Sequence, residues 1–263
     1  MTNSFSDNFR IFCAIVRREW TVIKKRLWKL IIDGLVVMIG LVFSFSHLFP
    51  LLGMPKKLIA PIYLGNIITS LFIMGYTLAH RIVYDVKDNK FINYQMTLPL
   101  PKRWLFAAYV TAFVIEFFLV TVPLFVAGIL IIKADINFAN TSILSFAAIY
   151  LISLVFFALF YLGISLFFDF IWFRDNIWPR LLHPLLILSP IFVPWKLAYK
   201  FSPSIGIFFL INPLTYVVEG FRSSLLGNEQ FINNIYCTLV VVLLMIPTTY
   251  LVYRGVHKRL DPV

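Results

Sequence analysis

Apolar residues along this chain gather into long runs separated by short polar breaks. A hydrocarbon core about 30 Å thick needs roughly 20 mostly apolar residues per crossing helix. Six stretches meet or approach that length: Leu30–Leu52, Pro61–Ala79, Trp104–Ile132, Ile143–Phe168, Leu181–Trp195 and Ile235–Tyr253. The third and fourth are long enough to tilt or to project beyond the bilayer. The fifth is short and contains Pro184, Pro190 and Pro194, and a further apolar stretch, Ser204–Val218, follows it and is broken at Asn212-Pro213. The pattern predicts an all-α polytopic membrane protein with a single domain over residues 1–263.

Two topologies compete. If both apolar stretches of the fifth region span, there are seven helices and the chain ends on opposite sides. If the second dips in and returns, there are six. The basic residues separate the two readings, because Lys and Arg collect on the cytoplasmic side of membrane spans. In the six-span arrangement seven lie up to Lys29, five in Arg81–Arg103, two in Arg174–Arg180 and three in the tail, giving 17 on one side against 6 on the other. Six spans with both ends cytoplasmic follow. Residues 196–230 then form an outer re-entrant segment between helices 5 and 6, with Ser202–Leu226 at its centre. Non-helical backbone at membrane depth survives only where protein or a wet cavity shields it, so this segment is expected to line one or the other.

Residues 1–29 carry a second pattern. Phe9, Phe12, Val16, Trp20, Ile23, Leu27 and Leu30 recur at spacings of three and four, while Arg10, Arg17, Arg18, Lys24, Lys25 and Lys29 occupy much of the remaining surface. Such a helix lies in the membrane interface with its cations near lipid phosphates. It is a topology anchor, or an anchor that also forms a docking surface for a cytoplasmic partner. Residues 81–103 are too long for a simple turn. Their mixed charges and the aromatic Tyr84, Phe91 and Tyr94 suit a short helix seated in a partner's groove, or a solvated loop.

Composition agrees with lipid as the main solvent: 60% of residues are hydrophobic and 13% charged, against about 25% charged in a soluble domain. The net charge of +11 sits between the apolar runs, which points to membrane orientation rather than nucleic acid. Cys13 and Cys237 define no disulfide framework, and the basic N-terminus has no cleavable signal pattern. Phosphate-binding loops are missing, and His47, His80, His183 and His257 show no metal-ligand spacing, so neither catalysis nor a metal site is expected on this chain. Asp33 opens the first span, Asp169 closes the fourth, and Glu116 falls inside the third. A charge at that depth costs roughly 2.5–3.5 kcal/mol on insertion scales, so Glu116 should face protein or water. It is a proton-relay group, part of a polar conduit, or a hydrogen-bonded packing residue.

Two segments carry a family resemblance. Leu186-Ile-Leu-Ser-Pro-Ile-Phe-Val-Pro194 is followed by Asn212-Pro-Leu-Thr-Tyr216-Val-Val-Glu219-Gly-Phe-Arg222, running on to Gly227. This resembles the C-terminal half of ABC-2 type permeases, in which a broken fifth span leads to a re-entrant segment and an Asn-Pro-Leu-Thr stretch with an acidic residue and an arginine. The run Thr97-Leu-Pro-Leu-Pro-Lys-Arg-Trp104 is similar to the family's entry to its third span, although the Gly often found before it is missing.

The resemblance implies the membrane subunit of an ATP-driven exporter in a bacterial cytoplasmic (inner) membrane. Its partners are two copies of an ATP-binding subunit, which hold the ATP and Mg, a second permease copy or paralogue, and membrane lipid. It implies ATPase coupling through Arg17, Arg18, Arg81, Asp85, Lys87 and Asp88, and an outer gate of Asn212, Pro213, Tyr216, Glu219 and Arg222. Glu116 is the pathway candidate, and Glu219 and Arg222 are spaced for an i,i+3 ion pair. The family exports drugs, lipids, lipo-oligosaccharides and polysaccharides. The first span lacks the Arg-Tyr…Gly…Trp signature expected of an O-antigen or capsule permease, which favours the drug, lipid or lipo-oligosaccharide branch. An ion-coupled secondary transporter needs paired intramembrane ionisable groups, where only one is visible. A non-transporting scaffold is the other alternative.

Overall fold

The order of helices, and the places where they break, follow from where proline interrupts otherwise continuous apolar sequence. A computed structural model describes residues 5–51, 53, 55–89, 91–97, 100–132 and 142–260. It is 89% helical, with no strand among the described residues. In chain order the helices are α1 (Phe5–Phe43), α2 (Phe49–Leu51), α3 (Ile59–Tyr84), α4 (Phe91–Met96), α5 (Lys102–Ile132) and α6 (Ile143–Phe167). They continue with α7 (Phe170–Ile177), α8 (His183–Ile187), α9 (Trp195–Phe201), α10 (Pro203–Phe209), α11 (Pro213–Leu226) and α12 (Asn234–Leu260). Wider π turns at Ser44–Leu48, Asp85–Asn89 and Trp178–Leu182 extend α1 and α3 and join α7 to α8.

Four helices are long and apolar enough to cross a membrane: those over Ile59–Lys87, Lys102–Leu130, Ile143–Phe167 and Asn234–Lys258. The count rises to five if α10 and α11, bent by 98° at their junction, make one broken span. These match the second, third, fourth and sixth expected spans. The first differs. The expected interface helix and first span form one uninterrupted α1, because no proline occurs between Phe5 and Phe43. Its last 18 residues still hold Arg26, Lys29 and Asp33, so no membrane-length stretch of it is free of charge to the extent the other four are.

The fifth element is displaced. It was expected over Leu181–Trp195, but the helical run starts at Phe170 and ends at Ile187. Residues Arg174–Arg180, expected as a cytoplasmic loop, are therefore helical, and the chain from Pro190 to Pro194 is not. Proline lacks the N–H that would continue the ladder and clashes with the preceding turn, so hydropathy extended this span past its last possible turn. Residues 81–103 are likewise mostly helical: α3 runs on through Asp85–Asn89, and α4 follows. Lys90, Leu98 and Pro99, and the side chain of Asp88, lie outside the described residues.

The core is organised around α3, which packs against α5, α6, α11 and α1. Leu64, Ile68, Leu71 and Leu78 are fully buried along its length. At Gly75 the ring of Tyr161 from α6 lies so close that a Cβ would stand 2.0 Å from it, and the Tyr161 hydroxyl donates to the Phe72 carbonyl. Helix α1 runs parallel to α5 in near-constant register: Phe12 meets Trp104, Arg26 meets Glu116, and Gly34 abuts Leu124. On the periphery, α12 packs on α6 and turns Leu239, Leu243, Ile246 and Tyr250 outward, while the second half of α1 exposes Trp28, Ile32 and Val36. Such apolar faces suit contact with lipid.

Candidate functional site

The Asn212-Pro213 dipeptide starts α11 in the manner its chemistry dictates. The Asn212 side-chain oxygen accepts from the Leu214 N–H at 2.9 Å, and Pro213 occupies the first helical position, where its missing N–H costs nothing. The amide nitrogen of the same side chain donates to the carbonyls of Leu185 and Leu188, at 2.6 and 2.8 Å. These are orphan acceptors at the end of α8. One side chain thus caps two helices and fixes the broken fifth element against the next. Two hydroxyls close the α10–α11 bend from the other side: Thr215 donates to the Phe209 carbonyl and Tyr216 to that of Leu210.

One turn further along α11 lies a fully buried ion pair. Glu219 and Arg222 have no exposed side-chain surface and meet at 2.9 Å. A buried pair survives only when further hydrogen bonds satisfy both partners, and here they do. Arg222 donates to the carbonyls of Pro61 at 2.9 Å, Pro190 at 2.5 Å, and Ile191. Glu219 accepts from the backbone N–H groups of Trp195 at 3.1 Å and Ile232 at 3.3 Å. The planar guanidinium therefore joins the start of α3, the non-helical turn after α8, and α11. Close approach is possible only because residue 65 is glycine: a Cβ there would fall 2.3 Å from the Ile191 carbonyl oxygen. Trp195 ties α9 to α10, its indole donating to the Gly206 carbonyl at 2.7 Å. Nearby, the Lys196 ammonium donates to the carbonyls of Asn228 and Glu229.

A second charged cluster lies between α1, α3 and α5. Arg26 donates to the buried Glu116, and Arg18 to the buried Glu19. Arg81 stands between the two carboxylates, 3.4 Å from Glu19 and 4.0 Å from Glu116. It also lies 5.8 Å over the Phe113 ring. The carboxylate that looked solitary in the sequence is neutralised by cations from two other helices. Beside this cluster a cleft of about 220 Å³ opens between α1, α3 and α5, with Asp33, Ser70 and Thr77 among apolar walls.

Of the residues expected at an outer gate, Asn212 and Pro213 start α11, Tyr216 ties it to the end of α10, and Glu219 and Arg222 form the buried pair one turn further on. The expected coupling residues are more dispersed. Arg17 is exposed on α1, while Arg18 and Arg81 belong to the buried charge cluster. Asp85 accepts from the Ile92 N–H at 2.9 Å and so starts α4. Lys87 lies 3.6 Å over the Phe170 ring, tying the turn after α3 to α7. Sequence reasoning missed Glu19, Arg26, Gly65 and Trp195. Glu19 left a signal, since it falls between Val16 and Ile23 at the spacing of the apolar face. Gly65 and Trp195 left none.

Several apolar membrane-length helices, with a 98° bend between α10 and α11, define a multi-pass helical membrane protein. The model of the ABC-2 type transporter family matches residues 10–226, from α1 through the end of α11. The chain belongs to that family and is a permease component of an ABC transporter. Neither a curated protein nor a solved structure matches it.

Proposed function

We propose that this chain is one half of the pore of an ATP-driven exporter in a bacterial cytoplasmic membrane. In this reading α1, α3, α5, α6, the α7–α8 run and α12 provide six spans, and both ends are cytoplasmic. Two permease copies, or this chain and a paralogue, pair. Two ATP-binding subunits dock beneath them and carry the ATP and Mg. The exposed Arg17 and Lys87 contact those subunits, and the turn from Asp85 to Asp88 with α4 receives their motion. The α9–α11 segment closes the outer end.

The observation that carries this reading is the Asn212–Arg222 clasp lying within the family match. A gate must hold a defined closed geometry, and a buried side-chain network with discrete partners supplies one. The cargo expected for this branch of the family is amphiphilic, a drug, lipid or lipo-oligosaccharide.

Affinity purification of the tagged chain from native membranes tests the proposal. The expected result is a stoichiometric ATP-binding subunit in the eluate, whose contact weakens in Arg17→Glu and Lys87→Glu variants that elute normally on size exclusion. A chain that purifies alone, and that stimulates no ATPase of the same membranes, refutes it.

A further inference from the structure

The helix ends at the α5 N-terminus and the α12 C-terminus enclose a groove that none of the foregoing uses. It has a volume of about 460 Å³, within the range of about 300–1,000 Å³ typical of small-molecule sites. Its walls are apolar: Phe106 and Val110 from α5, Leu159 from α6, and Val256 from α12. Its mouth is basic, carrying Lys102, Arg103 and His257, and among the described residues that line it none is acidic. Arg103 also borders a neighbouring groove of about 580 Å³, between α5 and the start of α1, lined by Phe5 and Trp104.

An apolar slot with a cationic rim, set at the end of two spans, has the polarity of one kind of ligand. We propose that this groove holds an anionic phospholipid of the leaflet at that edge. An acyl chain lies between α5 and α12 against Leu159, and the phosphate lies against Lys102 and Arg103. Basic pockets between spans attract acidic headgroups, and each cation near the surface adds about 1 kcal/mol. A zwitterionic lipid with the same chains fills the slot but loses most of the rim attraction. The inference is independent of the cargo and rests only on α5 and α12 crossing the bilayer with this edge at its surface.

Native mass spectrometry of the full chain in detergent tests it, with dioleoyl phosphatidylglycerol and dioleoyl phosphatidylcholine compared at equal concentration. One phosphatidylglycerol should remain bound where phosphatidylcholine does not. The Lys102→Gln/Arg103→Gln double variant should weaken its binding about thirtyfold, roughly fivefold for each cation. An Arg254→Gln/Lys258→Gln variant, with the same charge change on α12 outside the groove, should bind as the parent does. Val110→Trp, which fills the slot, should remove the bound lipid whatever its headgroup. Equal retention of the two lipids overturns the proposal, as does an equal loss in the two charge variants. If Val110→Trp fails to fold, the two charge-pair variants decide the question alone.

Discussion

Replacing Arg222 with methionine tests whether the buried Glu219–Arg222 clasp holds the broken fifth element in place. The substitution keeps much of the side-chain length and removes every donor. It strands Glu219 as a buried charge, and it leaves the carbonyls of Pro61, Pro190 and Ile191 without their donor. Removing one partner of a buried ion pair costs about 3–5 kcal/mol, and each orphaned buried acceptor about 1–3 kcal/mol. These effects share one guanidinium and do not add, so the expected loss is at least about 4 kcal/mol. Both side chains are wholly buried, so solvent screening does not reduce it.

At roughly 2–4 °C per kcal/mol for a chain of this size, thermal unfolding in detergent should begin about 10 °C lower. The Glu219→Met/Arg222→Met double variant removes the stranded charge as well, and it should recover part of that loss. Melting curves of parent, single and double variants therefore form a cycle. A shift below about 3 °C for Arg222→Met, or a double variant less stable than Arg222→Met alone, would refute the reasoning.

Three further outcomes follow from the same geometry. Gly65→Ala forces a methyl against the Ile191 carbonyl, and overpacking of this kind costs about 1–3 kcal/mol; an unchanged melting temperature would mean that the α3–α8 approach is looser than described. Asn212→Ala loses a helix cap worth about 1 kcal/mol and two donors to carbonyls, whereas Asn212→Asp keeps the cap but turns a carboxylate toward the Leu185 and Leu188 carbonyls. The aspartate variant should therefore melt at or below the alanine variant, and the reverse order would place the stabilisation in the cap alone. Glu116→Gln leaves Arg26 without the carboxylate it donates to and Arg81 with Glu19 alone, and should cost about 2–3 kcal/mol by melting. Adding Arg26→Gln should cost less than its own single effect predicts.

What could be read from the sequence follows the range of each interaction. The Asn212 cap, the proline at position 213 and the Glu219–Arg222 pair involve residues within a few positions of one another, so their spacing announced them. Continuous apolar runs placed α3, α5, α6 and α12, although α3 and α12 run on five and seven residues past the apolar sequence. The fifth element was misplaced because hydropathy registers the apolar run through Trp195, whereas a helix must stop where prolines remove its donors. The split between interface helix and first span failed for the opposite reason: a change in charge density does not break a backbone that lacks a breaker. Glu116 looked solitary because its partners lie 90 residues away at Arg26 and 35 away at Arg81. Gly65 looked ordinary because the carbonyl it admits belongs to Ile191.

The two buried charge clusters have one element in common, and this constrains how the molecule can move. Arg222 grips the carbonyl of Pro61 in the first turn of α3, and Glu19 and Glu116 face Arg81 in its last turn. Between them α3 is packed on several sides, with Gly75 pressed to Tyr161. Packed interfaces of this kind switch between discrete arrangements rather than deform continuously. A shift of α3 along its axis must therefore pull Pro61 from Arg222, or carry the turn after α8 and the start of α11 with it. A rotation about that axis must reorder Arg81 between its two carboxylates. Spatial continuity by itself demonstrates no coupling. The buried ties at the two ends nevertheless make α3 a strut rather than a hinge.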